Sequence, residues 1–204
     1  MKTLLAPVLC AASMFAPLAA ASISSTFGAC TQIAAPLVAD FPTLVGPGAE
    51  VWNERQNTNG LVIADLTTNS GNSGFPTPGS FQGIYDSHFI HFTGLSPNQA
   101  VGGVIFSGNI VAVAWNDLNL DLTDAIWGAP VTTYPTGQFN RGMNSLGFLS
   151  ISGATLNFDF RCFSVFFEIE QVRVWTVIPA PGAATLAGLG GLFTVGRRRR
   201  SHPA

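Results

Sequence analysis

Short runs of β-branched and aromatic residues, divided by polar segments, recur along the chain between residues 60 and 177. Seven runs predict strands: 60–66, 83–92, 101–108, 109–115, 146–152, 154–160 and 164–177. Ser107-Gly108-Asn109 and Ser152-Gly153 are turn sequences that predict hairpins. No segment before Pro179 has a helical apolar period of comparable strength. The pattern therefore predicts an all-β fold, an antiparallel β-sandwich or jelly roll of about seven to nine strands.

Two long polar segments, 67–81 and 128–142, interrupt the strands and are rich in Gly, Pro, Thr and Asn. Loops on a β frame commonly carry binding function. Trp127 and Tyr134 belong to the loop "WGAPVTTYPTG" (127–137), where we expect exposure and a ligand contact such as sugar stacking; packing within the loop is the alternative. Trp115 and Trp175 lie in predicted strands, which favours the core for both.

Four oxygen-bearing side chains lie close together in segment 115–128 and suggest calcium: Asp117, Asn119, Asp121 and Asp124. An EF-hand is excluded because Leu122 stands where that loop needs Gly, and Gly128 where it needs Glu. Alternation favours a plainer interpretation, a strand whose leucines face a core: Leu118, Leu120 and Leu122. A calcium site of another geometry is the weaker alternative, and no other cofactor is predicted.

Neither the histidines nor the paired glutamates predict catalysis. His88 and His91 are three residues apart on a predicted strand and point to opposite faces, so zinc would lack converging ligands. Glu168 and Glu170 share a face about 7 Å apart, a separation that overlaps that of glycosidase carboxylates. A solvated or cross-strand-paired face is the favoured interpretation of these glutamates. Because no nucleophile elbow, phosphate loop or Cys-His signature is present, we predict no enzyme.

The first 21 residues predict a signal peptide, with Lys2, an apolar stretch over 4–18 and small residues before Ser22. Its removal leaves Cys30 and Cys162, for which export permits a disulfide; two small buried apolar side chains are the alternative. Charged residues are 10% of the chain and the net charge is −2, which favours neither nucleic-acid binding nor charge-driven disorder. The length of 204 residues fits one folded domain, which we assign to 22–178.

The chain closes on an apolar run, 183–195, followed by four arginines. As a helix this run is about 20 Å long, shorter than the ~30 Å hydrocarbon core, so it predicts a short, transient membrane tether. The arginines hold its end on the cytoplasmic side by the positive-inside rule. The sorting segment is 179–204, and its landmarks are Pro179, Pro181, Gly182, Arg197, Arg198, Arg199 and Arg200.

This order of Pro motif, Leu/Gly-rich helix and Arg cluster resembles the PEP-CTERM sorting signal of exported bacterial proteins. Ala180 stands where that family carries Glu, as in its PAPG variants. The resemblance implies an exosortase-like membrane protease as partner and delivery to the cell surface or extracellular matrix. Segments such as "VWNERQN" (51–57) and "EQVRVWT" (170–176) also resemble the uncharacterised folded domains of proteins with this sorting signal. This second resemblance implies no catalytic residues.

These inferences predict an exported cell-surface or extracellular-matrix protein with a structural or adhesive body, associated with exopolysaccharide. A carbohydrate-binding module on the same β frame is the alternative, followed by a secreted glycoside hydrolase.

Overall fold

The computed structural model describes residues 21–40, 43–44, 46–65, 79–94, 98–138, 140–162 and 168–178. The sorting segment 179–204, most of the loop 67–81 and all but the last residue of the predicted signal peptide lie outside this range. Within it the chain is mostly β-strands in two sheets with one short helix, which confirms the all-β prediction. No helix in the described part is long and apolar enough to cross a membrane.

Ten strands and one helix are formed by the described residues. In chain order they are β1 (Ile23–Gly28), β2 (Cys30–Gln32), β3 (Ala49–Asn53), β4 (Thr58–Ala64), β5 (Gly79–Gly94), β6 (Asn98–Phe106), β7 (Ile110–Ala114), α1 (Asp117–Trp127), β8 (Phe148–Ser152), β9 (Thr155–Cys162) and β10 (Glu168–Thr176). Each of the seven predicted runs overlaps one of the strands from β4 to β10. The sequence pattern missed the first three, which are short or rich in polar residues.

The first sheet has the strand order β1-β6-β9-β8, and every pair in it is antiparallel. The second has the order β2-β3-β5-β10-β7, with β4 also paired to β5; its β2–β3 pair is parallel. The predicted hairpin at Ser152-Gly153 is confirmed, with Gly153 at φ 58°. The one at 107–109 is wrong, because β6 and β7 belong to different sheets and this turn crosses between them.

Apolar side chains of both sheets form a common core, for example Val104 and Phe158 of the first sheet and Ile90 and Val174 of the second. A second apolar cluster lies on the other face of the six-stranded sheet. There Leu120 and Trp127 of α1 share a cluster with the sheet residues Trp52, Phe89 and Trp175. The six-stranded sheet is therefore covered on both faces, which explains why eight consecutive residues of β10 are buried.

The predicted strand with alternating leucines at 118–122 is wrong, because this segment starts α1. Asn116 caps the helix by accepting a hydrogen bond from the Asn119 amide. The buried helix face is Leu120, Thr123 and Trp127, at helical spacing. Leu118 is 65% exposed and Leu122 54% exposed, so only the middle leucine reaches the core. An L-x-L-x-L run fits the two-residue period of a strand. The helix forms here because Asn116 caps it and because residues 120, 123 and 127 place one face against the sheet.

Candidate functional site

A cleft of about 440 Å³ opens where the start of α1, segment 140–144 and the start of β10 meet. This volume is within the ~300–1,000 Å³ typical of small-molecule sites. Six polar residues line it: Asn116, Asp117, Asn140, Asn144, Glu168 and Glu170. None of its described lining residues is Lys, Arg or His.

The α1 wall of the cleft is anchored to β4 through Asp65. Its Oδ2 accepts the backbone amides of Trp115 at 2.5 Å and Asn116 at 2.9 Å, and its Oδ1 accepts both the Asn116 and Asn119 carboxamides. Burial raises the pKa of the Asp65 carboxyl, although these donors oppose that shift. The helix start is therefore held at the end of β7 by one buried side chain.

Alternate backbone amides of segment 140–144 hold two of the lining carboxylates. Asn140 N–H donates to Asp117 Oδ2 at 3.0 Å, and Gly142 N–H donates to Asp117 Oδ1 at 2.6 Å. Asn144 N–H is shared between the two Glu170 oxygens, at 3.2 and 3.1 Å. Asn140 has a φ of 61°, a conformation that Asn tolerates better than most residues. Backbone amides thus orient both carboxylates.

β7 pairs with β10 only from Arg173 to Thr176, because the chain then turns into α1. Segment 140–144 packs beside the earlier part of β10. Gly142 forms an isolated parallel bridge with Gln171, and Met143 N–H donates to the Trp115 carbonyl at 2.8 Å. A Cβ at Gly142 would lie 2.3 Å from the Trp115 oxygen, so the close approach requires glycine here.

Glu168 and Glu170, which were expected to share a face, both line this cleft. The expected solvated face is wrong for Glu170, which is 1% exposed. Burial raises the pKa of Glu170 well above its usual range, the Asn144 amide opposes this, and the negative charge of Glu168 adds to it. A carboxyl that favours its protonated form therefore lies at the base of the cleft.

Two fully buried arginines form an ion-pair network behind this site. Arg141 pairs with Asp121 at 2.7 Å and Asp124 at 2.6 Å, and Arg173 pairs with Glu54 at 2.7 Å and Asp124 at 3.0 Å. Burial of Asp124 opposes ionisation, yet the Arg141 hydrogen bond and both arginine charges hold its pKa below the usual value.

The acids proposed for calcium in segment 115–128 have these other partners. Asp121 and Asp124 bind arginine, and Asp117 accepts backbone amides. Within the residues that the structure describes, no group of three or more His, Cys, Asp or Glu side chains is placed to hold a metal ion.

Trp127 and Tyr134, the predicted ligand contacts, are packing residues. Trp127 is fully buried, donates from Nε1 to the Leu61 carbonyl at 2.7 Å and packs edge-on against Trp175. The expected exposure of Trp127 is therefore wrong, because it lies on the buried face of α1. Tyr134 is partly buried, and its hydroxyl donates to Glu54 at 2.5 Å. A ligand contact by Trp127 would require this layer to open.

His88 and His91 lie on opposite faces of β5, as predicted. His88 packs against Phe106 in the core between the sheets, and His91 hydrogen-bonds Gln171 and Thr93 on the other side. Burial lowers their pKa values to about 3 and about 4 respectively, so both are neutral at pH 7.

Cys30 and Cys162 are free thiols, both buried in the common core. This arrangement corresponds to the alternative of two small apolar side chains. Burial raises the pKa of each thiol to about 12, which suppresses the reactive thiolate. Trp175 is buried as predicted, while Trp115 lies one residue beyond β7 and is only partly buried.

Sequence reasoning missed the two arginines and the segment that carries the cleft amides. A signal for Arg173 was present, because a charge inside the apolar run "VRVW" needs a buried partner. Asn140 and Asn144 had no comparable signal, since their roles depend on backbone amides placed by the fold. The sorting residues from Pro179 to Arg200 lie outside the described range.

Comparison with protein-family models, with characterised proteins and with solved structures finds no match for this chain.

Proposed function

We propose that this is an exported cell-surface or extracellular-matrix protein whose C-terminal segment directs its sorting and whose body is structural or adhesive. The observation that carries this is the order of "PAPG", an apolar run too short for a stable anchor, and Arg197 to Arg200. A signal peptide over 1–21 directs export, and an exosortase-like protease then removes the C-terminal sorting segment. The body over 22–178 is then a β-sandwich released to the surface or its exopolysaccharide.

The side-chain chemistry of the described residues is compatible with an exported protein. Its two thiols are buried, so the fold does not depend on a reactive cysteine remaining reduced in an oxidising compartment. Its two buried arginines, Arg141 and Arg173, are paired with acidic side chains of the same chain. Both features support a rigid exported module.

Replacing Arg197 to Arg200 by alanine in the producing cell tests the sorting role. The tail would lose its cytoplasmic stop, so we expect the fraction of protein accessible to external protease to fall severalfold. His202→Ala, which changes a residue just beyond the arginines, is the matched control and should behave as wild type. Equal surface exposure of all three proteins would contradict the proposed role of the tail.

The second candidate function is carbohydrate binding, and the cleft between α1, segment 140–144 and β10 favours it. The cleft combines carboxyl and carboxamide groups with apolar side chains, as sugar sites do. Export to an exopolysaccharide matrix does not require this binding, so the two proposals are tested separately.

A further inference from the structure

The charge of the cleft selects against anionic ligands. Asp117, Glu168 and Glu170 line it, and no basic side chain stands among its described lining residues. Arg141 lies between two residues of segment 140–144 that line the cleft, but its guanidinium is buried in the ion pairs behind the site. Phosphorylated or acidic ligands would therefore meet like charge from Asp117 and Glu168.

The hydrogen-bonding groups of the cleft match hydroxyl groups, which both donate and accept. The Asp117 and Glu170 oxygens are fixed by backbone amides, yet each carboxylate oxygen has a second lone pair. A hydroxyl that donates to an Asp117 oxygen makes a short, charge-assisted bond, while the Glu170 carboxyl, whose pKa is raised by burial, can itself donate to a hydroxyl. The Asn140 side chain is exposed, and its carboxamide offers a donor and an acceptor to the same ligand.

An apolar surface accompanies these polar groups. Leu118 is 65% exposed at the start of α1, and the buried Met143 and Ile169 also line the cleft. The ring of a sugar has hydroxyls around its edge and C–H groups on its faces, so it can use both kinds of lining.

We propose that the cleft formed by Asp117, Asn140, Glu168 and Glu170, with Leu118 at its rim, binds a neutral carbohydrate. The carboxyl groups and the Asn140 carboxamide engage the sugar hydroxyls, and Leu118 packs against the ring. This inference rests on the second candidate function and names its site and ligand class. It is independent of the sorting proposal, because it needs only the folded body.

The test is calorimetric titration of the full chain, purified in mild detergent, with trisaccharides of glucose, galactose, mannose and N-acetylglucosamine. We expect at least one to bind, and trigalacturonic acid to bind at least tenfold more weakly. Glu168→Gln should lower the affinity roughly tenfold by removing a charged acceptor. Asn140→Gly, which suits the positive φ, and Leu118→Ala should each lower it severalfold.

Asp159→Asn is the matched control, since it removes one carboxylate from the outer face of the four-stranded sheet and should leave affinity unchanged. The proposal is overturned if no neutral trisaccharide binds at millimolar concentration while circular dichroism shows the chain folded. It is equally overturned if only amines such as spermidine bind, or if binding survives all three cleft variants. A failed titration leaves surface delivery untouched, so the two outcomes are separable.

Discussion

Arg173 joins the six-stranded sheet to the layer that covers its outer face, and replacing it by Met tests that role. Its guanidinium donates to both oxygens of Glu54, at 2.7 and 2.8 Å, and to Asp124 at 3.0 Å. It also donates to the Leu120 carbonyl at 3.2 Å and the Thr123 hydroxyl at 2.7 Å, both in α1. One side chain on β10 therefore binds the chain beyond β3 and the helix together.

The expected loss follows from what Arg173→Met leaves behind. The Glu54 side chain has 0% exposure, so its carboxylate would remain buried with the Tyr134 hydroxyl but no positive partner. Removing one member of a buried pair costs about 3–5 kcal/mol of unfolding free energy, and we expect a loss of that size. Replacing both charges, with Arg173→Met and Glu54→Leu together, should cost less than Arg173→Met alone, because no orphan carboxylate then remains at position 54.

Urea unfolding followed by tryptophan fluorescence at pH 7 measures this loss. The control is Arg161→Met, because Arg161 pairs with Asp159 while 42% exposed and should contribute little. If Arg173→Met unfolded at the same urea concentration as Arg161→Met, the buried network would not be holding the outer layer. A double variant less stable than Arg173→Met would refute the reasoning about the orphaned charge.

Three further predictions follow from burial and close packing. Because the raised pKa of Glu170 makes its folded form retain a proton, its contribution to stability is lost as pH rises through that pKa. Glu170→Gln should therefore be at least as stable as wild type at pH 7.5, and urea midpoints lower than wild type would contradict this. Gly142→Ala should cost about 1–3 kcal/mol in the same assay, since its Cβ would lie 2.3 Å from the Trp115 oxygen; a neutral effect would show that the segment can shift. Cys30 and Cys162 should resist iodoacetamide in the native protein at pH 8 and react in urea without reductant, as followed by mass; failure to react in urea would indicate a disulfide.

Strands β4 to β10 were predictable because each contains a short run of β-branched and aromatic residues, which favour strands. The segment 115–128 was not, because its leucines at 118, 120 and 122 fit a strand as well as a helix. The choice was made by Asn116 as a cap and by Trp127 reaching the face of the sheet. Neither contact can be predicted from the alternation of apolar and polar residues alone.

The cleft was predictable only in part. The spacing of Glu168 and Glu170 placed both carboxylates on one side of β10, and both line the cleft. Their unequal burial depends on segment 140–144, which packs beside β10 from 26 residues away, as the Asn144 bond to Glu170 shows. Trp127 was misjudged for the same reason, since its exposure was inferred from neighbouring loop residues rather than from the helix that contains it.

Intact-mass spectrometry of the mature protein from its native cell surface tests the central claim, that the tail is a sorting handle. The proposed sorting role predicts a chain that begins near Ser22 and has lost the segment after about Pro181, including Arg197 to Arg200. A mature surface protein that still ends at Ala204 would contradict it.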